Sequence, residues 1–162
     1  MLLIEILYYA TIKTYSFHCQ FFTVLSQVIK LFDQMDQSDC VLRIVEQAIK
    51  EAELEDPELA TLHSIKFHHL LRIGRHSEAF EAMHYNPDTS RRQDSLRQLI
   101  NSLVHHHQLQ ELVTFNYSQS MLAAAEDVLL TKARSQDLLS ADFYTVLHAL
   151  HVKNKNYRKG TT

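Results

Sequence analysis

Apolar residues recur at helical spacing along most of this 162-residue sequence. They stand three or four positions apart, and this spacing places them along one side of a helix. In the segment 39–53 the stripe is Val41, Ile44, Val45, Ala48, Ile49 and Ala52. In the segment 17–35 it is Phe21, Val24, Leu25, Val28, Leu31, Phe32 and Met35. Each such segment is predicted to bury one face against a neighbour.

The residues that commonly form turns are scarce. The chain has two glycines and two prolines, whereas average usage is roughly 7% and 5%. A β-sandwich or an α/β protein needs many more turns than these residues could make. The predicted fold class is therefore all-α, with seven or eight helices.

Short polar connections divide the pattern into its helices. The predicted segments are 17–35, 39–53, 57–73, 76–85, 89–107, 118–136 and 140–152, with short segments at 1–12 and 109–114. Connections of two to five residues favour antiparallel neighbours, and segment 57–73 is apolar around much of its circumference, as expected for a helix packed on two sides. No exact 34-residue repeat is present, so the pattern predicts an irregular α-solenoid of stacked antiparallel helical hairpins.

Several residues are predicted to close helix ends. Ser38, Asp56 and Asp88 each carry a short side chain that can accept a hydrogen bond from the first turn of the following helix. Pro57 is expected at the first helical position, where its missing N–H has no intrahelical partner to lose. Gly74 is expected just after the preceding helix, because glycine readily adopts the left-handed conformation found there.

A sharp corner is predicted at mid-chain. Pro87 disfavours the helical conformation at Asn86, so one helix should end there and the next should begin after Asp88. Arg91 and Arg92 then fall in the first turn of the new helix, where the helix dipole disfavours cations by about 0.3–1 kcal/mol. Such unfavourably placed charges can indicate a binding site.

The new helix can also neutralise its own arginines. Asp88–Arg92 is an i, i+4 pair, whereas Arg91–Asp94 and Asp94–Arg97 are i, i+3 pairs. We therefore favour a structural corner over a binding site. The predicted corner motif consists of Asn86, Pro87, Asp88, Arg91, Arg92, Asp94 and Arg97.

Charge and motifs argue against several classes of function. The net charge is −3, without the basic surplus typical of nucleic-acid-binding domains. Cys19 and Cys40 lack CxxC spacing, and neither a phosphate-binding glycine loop nor a GxSxG nucleophile motif is present. No catalytic, cofactor-binding or metal-binding residue is predicted, and no cofactor is expected.

The eleven histidines leave a metal-dependent enzyme as the least favoured hypothesis. His105, His106 and His107 are consecutive, so on a helix they point about 100° apart and cannot bind one ion together. His63 and His107 fall near apolar stripes, where a core or boundary histidine is the commoner explanation.

The first ten residues are apolar but do not read as a targeting signal. They lack a positively charged start, Glu5 interrupts them, and no clean cleavage site follows. They are also shorter than the about 20 residues that span a bilayer. A buried helix or the cut edge of something larger is the favoured interpretation.

Several blocks of sequence carry a family resemblance. The most specific is NPD-x-SRR-x-D-x-LRQL at residues 86–99. The others, in order, are KLF at 30–32, ATL at 60–62, FHHL at 67–70, EAF-x-A at 78–82, AR at 133–134 and NYRK at 156–159. Together they resemble the family of the 160-kilodalton nucleoporin, a scaffold protein of the nuclear pore. His63 departs from a tryptophan in that family, and Asn116 departs from a proline.

The resemblance covers residues 21–159. Residues 1–20 form an apolar leader that does not match the family, and residues 160–162 form a tail. Full members are many times longer and begin with a β-propeller, so this chain is expected to be a fragment, a partial gene model or a truncated paralogue.

The resemblance implies a structural scaffold segment of the outer ring, or Y-complex, of the nuclear pore complex. Such a segment would support nucleocytoplasmic transport of protein and mRNA at the nuclear envelope, without catalysis or cofactor. The implied partners are other outer-ring nucleoporins, with no direct nucleic acid, membrane span or small-molecule substrate. A helical-repeat adaptor in another assembly, such as a vesicle coat, is the alternative.

A piece of a solenoid should also expose apolar surface at its ends. In a longer solenoid, neighbouring helices are expected to cover the apolar segments 1–12 and 143–150. In the isolated chain these segments would be exposed, so the chain is expected to self-associate.

Overall fold

The computed structural model describes residues 18–53, 56–135 and 140–154. These ranges contain seven α-helices, one short 3-10 helix and no β-strand, which confirms the all-α prediction. The helices are α1 His18–Gln34, α2 Ser38–Glu51, α3 Leu59–Arg72, α4 His76–His84, α5 Thr89–His105, α6 Gln119–Ser135 and α7 Ser140–Lys153, and the 3-10 helix is Leu109–Val113. The predicted ends agree to within two residues, and the predicted segment 1–12 lies outside the described residues.

The chain divides into two compact units, residues 1–88 and 89–162. In the first unit, α2 packs against α1 and α3, and α3 packs against α2 and α4. In the second unit, α7 packs against α6 and the 3-10 helix, and both of these also pack against α5. Sequential helices thus pack on one another within each unit, and the prediction that α3 is covered on two sides is confirmed.

The apolar stripe of α2 forms the core of the first unit. Val41 and Val45 are fully buried, and they cluster with Leu25 and Ile29 of α1 and with Leu62 of α3. Burying one such side chain contributes about 1.5–3 kcal/mol relative to leaving it exposed. This stripe therefore holds α1 and α3 to the helix between them.

The predicted stripe of α1 is partly wrong. Leu31 and Met35 are 56% and 58% exposed, whereas Ile29, which the pattern omits, is buried with Leu25. Leu31 lies two positions after Ile29, which is about 200° around a helix, so the two cannot face α2 together.

Three helices of the described chain end in the same hydrogen-bonded turn. The second residue after α1, α3 and α5 is left-handed, with φ of 55° at Asp36, 74° at Gly74 and 56° at His107. At each of these ends two N–H groups donate back to carbonyls of the last helical turn, at 2.8–3.2 Å. This is the Schellman motif. The prediction for Gly74 is confirmed, and the other two ends use aspartate and histidine instead of glycine.

The start of α2 differs from its prediction. Ser38 is the first residue of the helix and not its cap, and Gln37, which precedes it, makes no side-chain capping bond. The Ser38 side chain is buried and accepts hydrogen bonds from Arg72 instead, so it faces α3 and not its own first turn.

The start of α3 also differs. Pro57 and Glu58 form a turn before the helix, closed by the Leu59 N–H donating to the Asp56 carbonyl at 3.1 Å. Pro57 is therefore not the first helical residue. The Asp56 carboxylate still accepts a backbone N–H, that of Glu58 at 2.9 Å. It therefore stabilises the turn that precedes the helix and not the first turn of the helix itself.

One lysine fixes the end of α7 in the second unit. The Lys153 ammonium donates to the carbonyls of Val113, Thr114 and Phe115 at 2.8–2.9 Å. Nearby, the Tyr117 hydroxyl donates to the Leu112 carbonyl at 3.0 Å, and burial raises the pKa of Tyr117 well above its ordinary value.

The segment 143–150 is not the open apolar face that the sequence suggests. Phe143, Leu147 and Leu150 are at most 5% exposed, because α7 packs on α6 and on the 3-10 helix. On this helix the large apolar side chains left exposed are Tyr144 and Val152. None of the helices in the described ranges is long and apolar enough to cross a membrane.

The left-handed helix ends make a stability prediction. The His107→Gly variant should raise the free energy of unfolding by about 0.5–1 kcal/mol, because glycine adopts positive φ without the steric penalty of a side chain. Gly74→Ala should lower it by about 1 kcal/mol, although a Cβ there would meet no atom within 4 Å, because its φ alone is unfavourable. Urea unfolding midpoints measure both changes. A His107→Gly variant no more stable than the parent chain would contradict this account.

Candidate functional site

The predicted corner motif spans the boundary between the two units, which falls after Asp88. As predicted, one helix ends shortly before Asn86 and the next begins at Thr89. Asn86, Pro87 and Asp88 belong to the first unit, and Arg91, Arg92, Asp94 and Arg97 lie on α5 in the second.

Asn86 ties the end of the first unit to α3. Its side chain is buried, with the residue 2% exposed. The amide nitrogen donates to the Ala60 carbonyl at 3.0 Å and contacts the Ser64 hydroxyl at 3.2 Å. The amide oxygen accepts the Asp88 N–H at 2.9 Å. Buried polar groups usually have hydrogen-bond partners. The Asn86 amide has them on both of its polar atoms, and it also provides the acceptor for the Asp88 N–H of the turn.

Two arginines of the motif bond within their own helix. Arg97 pairs with Asp94 at 3.1 Å, which is one of the pairs that the spacing predicts. Arg92 donates to the Thr89 hydroxyl at 2.8 Å. Both interactions are exposed, and exposed pairs contribute only about 0–1 kcal/mol.

A polar cluster around Arg72 was not predicted from the sequence. The Arg72 guanidinium donates to the Asp33 carboxylate at 2.7 Å and to the Ser38 hydroxyl at 2.6 and 3.1 Å. Asp36 lies 3.7 Å from the same group. The last residue of α3 thereby binds the end of α1 and the start of α2, so one side chain fixes the turn between those helices.

His69 completes this cluster. Its Nδ1 lies 3.2 Å from an Arg72 nitrogen, which can only donate, so a hydrogen bond between these two atoms requires an unprotonated Nδ1. Nδ1 also lies 3.4 Å from the Ser38 hydroxyl. Burial, and then the Arg72 charge, lower the pKa of His69, although the Asp33 carboxylate opposes this.

His63 is a second buried histidine, 8% exposed between neighbouring core residues. Burial lowers the pKa of His63, and the nearby Lys66 charge adds to this, while a hydrogen bond with the backbone of Ala82 acts in the opposite direction. The sequence prediction of a core histidine therefore holds for His63, whereas His107 is exposed at a helix end.

The arrangement around Ser38 favours a structural link and not a nucleophile. A serine nucleophile needs a free lone pair, but the Ser38 oxygen already accepts two N–H groups from Arg72. Within the described ranges, no three histidine, cysteine, aspartate or glutamate side chains form a group that could hold a metal ion.

Comparison with known proteins identifies relatives of the chain. The family model described as NUP160/120 middle TPR matches residues 5–162. This stretch is wider than residues 21–159, over which the sequence resemblance is expected. Nuclear pore complex protein Nup160 of Mus musculus is 36% identical over 136 residues, which is 84% of this chain and 10% of that protein.

Two further relatives give similar values. Nup160 of Homo sapiens is 36% identical over 84% of the chain and 9% of its own length, and the Drosophila melanogaster homolog is 34% identical over 84% of the chain and 10% of its own length. The chain therefore spans about a tenth of the length of the curated relatives it matches.

The buried amide of Asn86 makes a stability prediction. Asn86→Ala should lower the free energy of unfolding by about 2 kcal/mol, because it leaves a small cavity and removes the acceptor of the Asp88 N–H. The control is Arg97→Ala in the same motif, which should change it by less than about 0.5 kcal/mol. Urea denaturation measures both variants. Equal losses of unfolding free energy in the two variants would show that the Asn86 side chain contributes no more to stability than the exposed Arg97 side chain does.

Two of the buried histidines, His63 and His69, predict how stability depends on pH. Their pKa values are lowered in the folded chain, so between those values and about 6.5 the unfolded chain binds more protons. Stability should therefore fall as the pH drops from 7.5 to 5.5. In the double variant His63→Leu, His69→Asn this fall should be smaller, whereas the exposed His105→Asn control should keep it. An unchanged pH dependence in the double variant would contradict the assignment.

Proposed function

Since this chain belongs to the NUP160/120 nucleoporin family, we propose that it serves as a helical scaffold segment of the nuclear pore complex. The observation that carries the proposal is the family match over residues 5–162, together with an all-α fold of the helical-solenoid type. Its relatives are nuclear pore complex proteins, and the corresponding location is the nuclear envelope. Stacked helices suit this role because their exposed faces provide extended binding surfaces.

The finer part of the proposal concerns the assembly and its cargo. The chain would belong to the outer ring, or Y-complex, and support nucleocytoplasmic transport, including mRNA export. Its partners would be other outer-ring nucleoporins, and it would act through protein–protein contacts without catalysis. The family match over residues 5–162 supports this part of the proposal, because the relatives are nuclear pore complex proteins.

The proposal predicts where the chain is found and what it binds. A fluorescently tagged chain expressed in cells at low level should appear at the nuclear rim. Affinity capture of the same chain should recover outer-ring nucleoporins, because the folded chain would present the surfaces that bind them. Mass spectrometry of the captured proteins identifies them.

A misfolded variant provides the control for non-specific capture. Phe67→Asp places a carboxylate at a fully buried position of α3, so this variant should lose both the rim signal and the nucleoporins. Recovery of vesicle-coat subunits instead of nucleoporins by the folded chain would contradict the proposal and favour an adaptor in another assembly.

A further inference from the structure

An apolar groove of about 550 Å³ lies between α1 and α3 in the first unit. Leu25, Ile29 and Leu62 are buried and form its floor, and the half-buried Phe22 and Ile65 form its walls. The spacing from Phe22 to Ile29 corresponds to about 10 Å along a helix. The groove is therefore long enough for about two turns of another helix.

The groove follows from the way in which α2 holds its neighbours. Both α1 and α3 pack on α2 through one core cluster. The sides of α1 and α3 that face each other are thus only partly covered. Apolar grooves between two helices are a common binding site for an amphipathic helix, which lays its apolar face into them.

The charge at one end of this groove indicates what kind of helix fits. Asp56 and Glu58 line the groove, and they belong to a run in which five of the eight residues 51–58 are acidic and none is basic. Residues 1–88 contain thirteen acidic and seven basic side chains, whereas residues 89–162 contain six and nine. The acidic surplus of the chain therefore lies in the unit that carries the groove.

We propose that this groove binds an amphipathic helix of a partner protein whose apolar face carries lysine or arginine at one end. The apolar face would contact Leu25, Ile29 and Leu62, and the basic end would lie beside Asp56 and Glu58. Opposite charges at the edge of an apolar interface set orientation and speed association. The inference rests on the proposed scaffold function, since it names the chemistry of one partner of that scaffold.

Two designed peptides test the inference on the full chain. Both are 14-residue helices with leucines at i, i+3, i+4 and i+7, one with lysine and arginine at its polar positions and one with glutamate. The basic peptide should bind at least ten-fold more tightly in low salt, measured by fluorescence anisotropy, and high salt should reduce this difference. Equal binding of the two peptides would overturn the proposal.

A matched pair of variants locates the charge effect. Asp56→Asn, Glu58→Gln should weaken the basic peptide about five-fold, because both charges beside its basic end are lost while the new asparagine side chain can still accept the backbone N–H of position 58. The control Asp39→Asn, Glu81→Gln removes the same charge from exposed positions of the same unit that do not line the groove, and it should leave binding within two-fold of the parent chain. Equal weakening by both pairs would show a general charge effect and overturn the proposal.

Photo-crosslinking locates the peptide itself. A benzophenone on its apolar face should attach to Phe22 or Ile65 of the full chain. Attachment in the second unit, or a groove already filled by another segment of this chain or by a second copy, would overturn the proposal.

Capture from cells separates this inference from the scaffold function. Capture of outer-ring nucleoporins that the groove variants leave unchanged would refute the groove and keep the scaffold function. Specific binding of the basic peptide at the groove without any captured nucleoporin would refute the scaffold function and keep the groove.

Discussion

The first unit depends on the burial of one stripe of α2. Val41 and Val45 have no exposed surface, and the cluster around them includes side chains of α1 and α3. Because α2 lies between α1 and α3, its buried side chains contact both of these helices. The two outer helices of the cluster are then fixed in place but not fully covered, and the groove between them is the result.

Polar side chains fix the turns and helix ends, which apolar packing alone does not position. The apolar stripes fix which faces meet, but the turns between helices carry N–H and C=O groups that also need partners. Arg72 fixes the turn between α1 and α2, Asn86 fixes the chain after α4, and Lys153 fixes the end of the 3-10 helix. All three make contacts more than twenty residues away in sequence, so each stabilises tertiary structure as well as a local turn.

Helical periodicity was enough to predict most of the described fold. Every observed helix lies within two residues of a predicted one, because burial repeats with the helical period and the short polar connections interrupt it. Errors arise where one helix turns its face relative to the pattern, as at Ile29 and Leu31 of α1. They also arise where a side chain chooses a distant partner over a local one, as Ser38 does with Arg72.

The candidate site was less predictable than the fold. Local spacing predicted the Asp94–Arg97 pair, but nothing in the spacing indicates that Asn86 reaches the Ala60 carbonyl or that Arg72 joins three helices. The apolar pattern alone does not predict the function, because similar helical folds occur in many unrelated assemblies. It is the family resemblance, carried by short blocks of sequence, that connects this chain with the nuclear pore.

We propose that this chain is a protein-binding segment of the nuclear pore scaffold. Cross-linking of isolated nuclear envelopes that contain the chain, followed by mass spectrometry, tests this proposal, since Lys30, Lys50 and Lys132 distribute reactive amines over both units. Cross-links from these lysines to other scaffold nucleoporins are expected. Cross-links confined to proteins outside the pore would contradict the proposal.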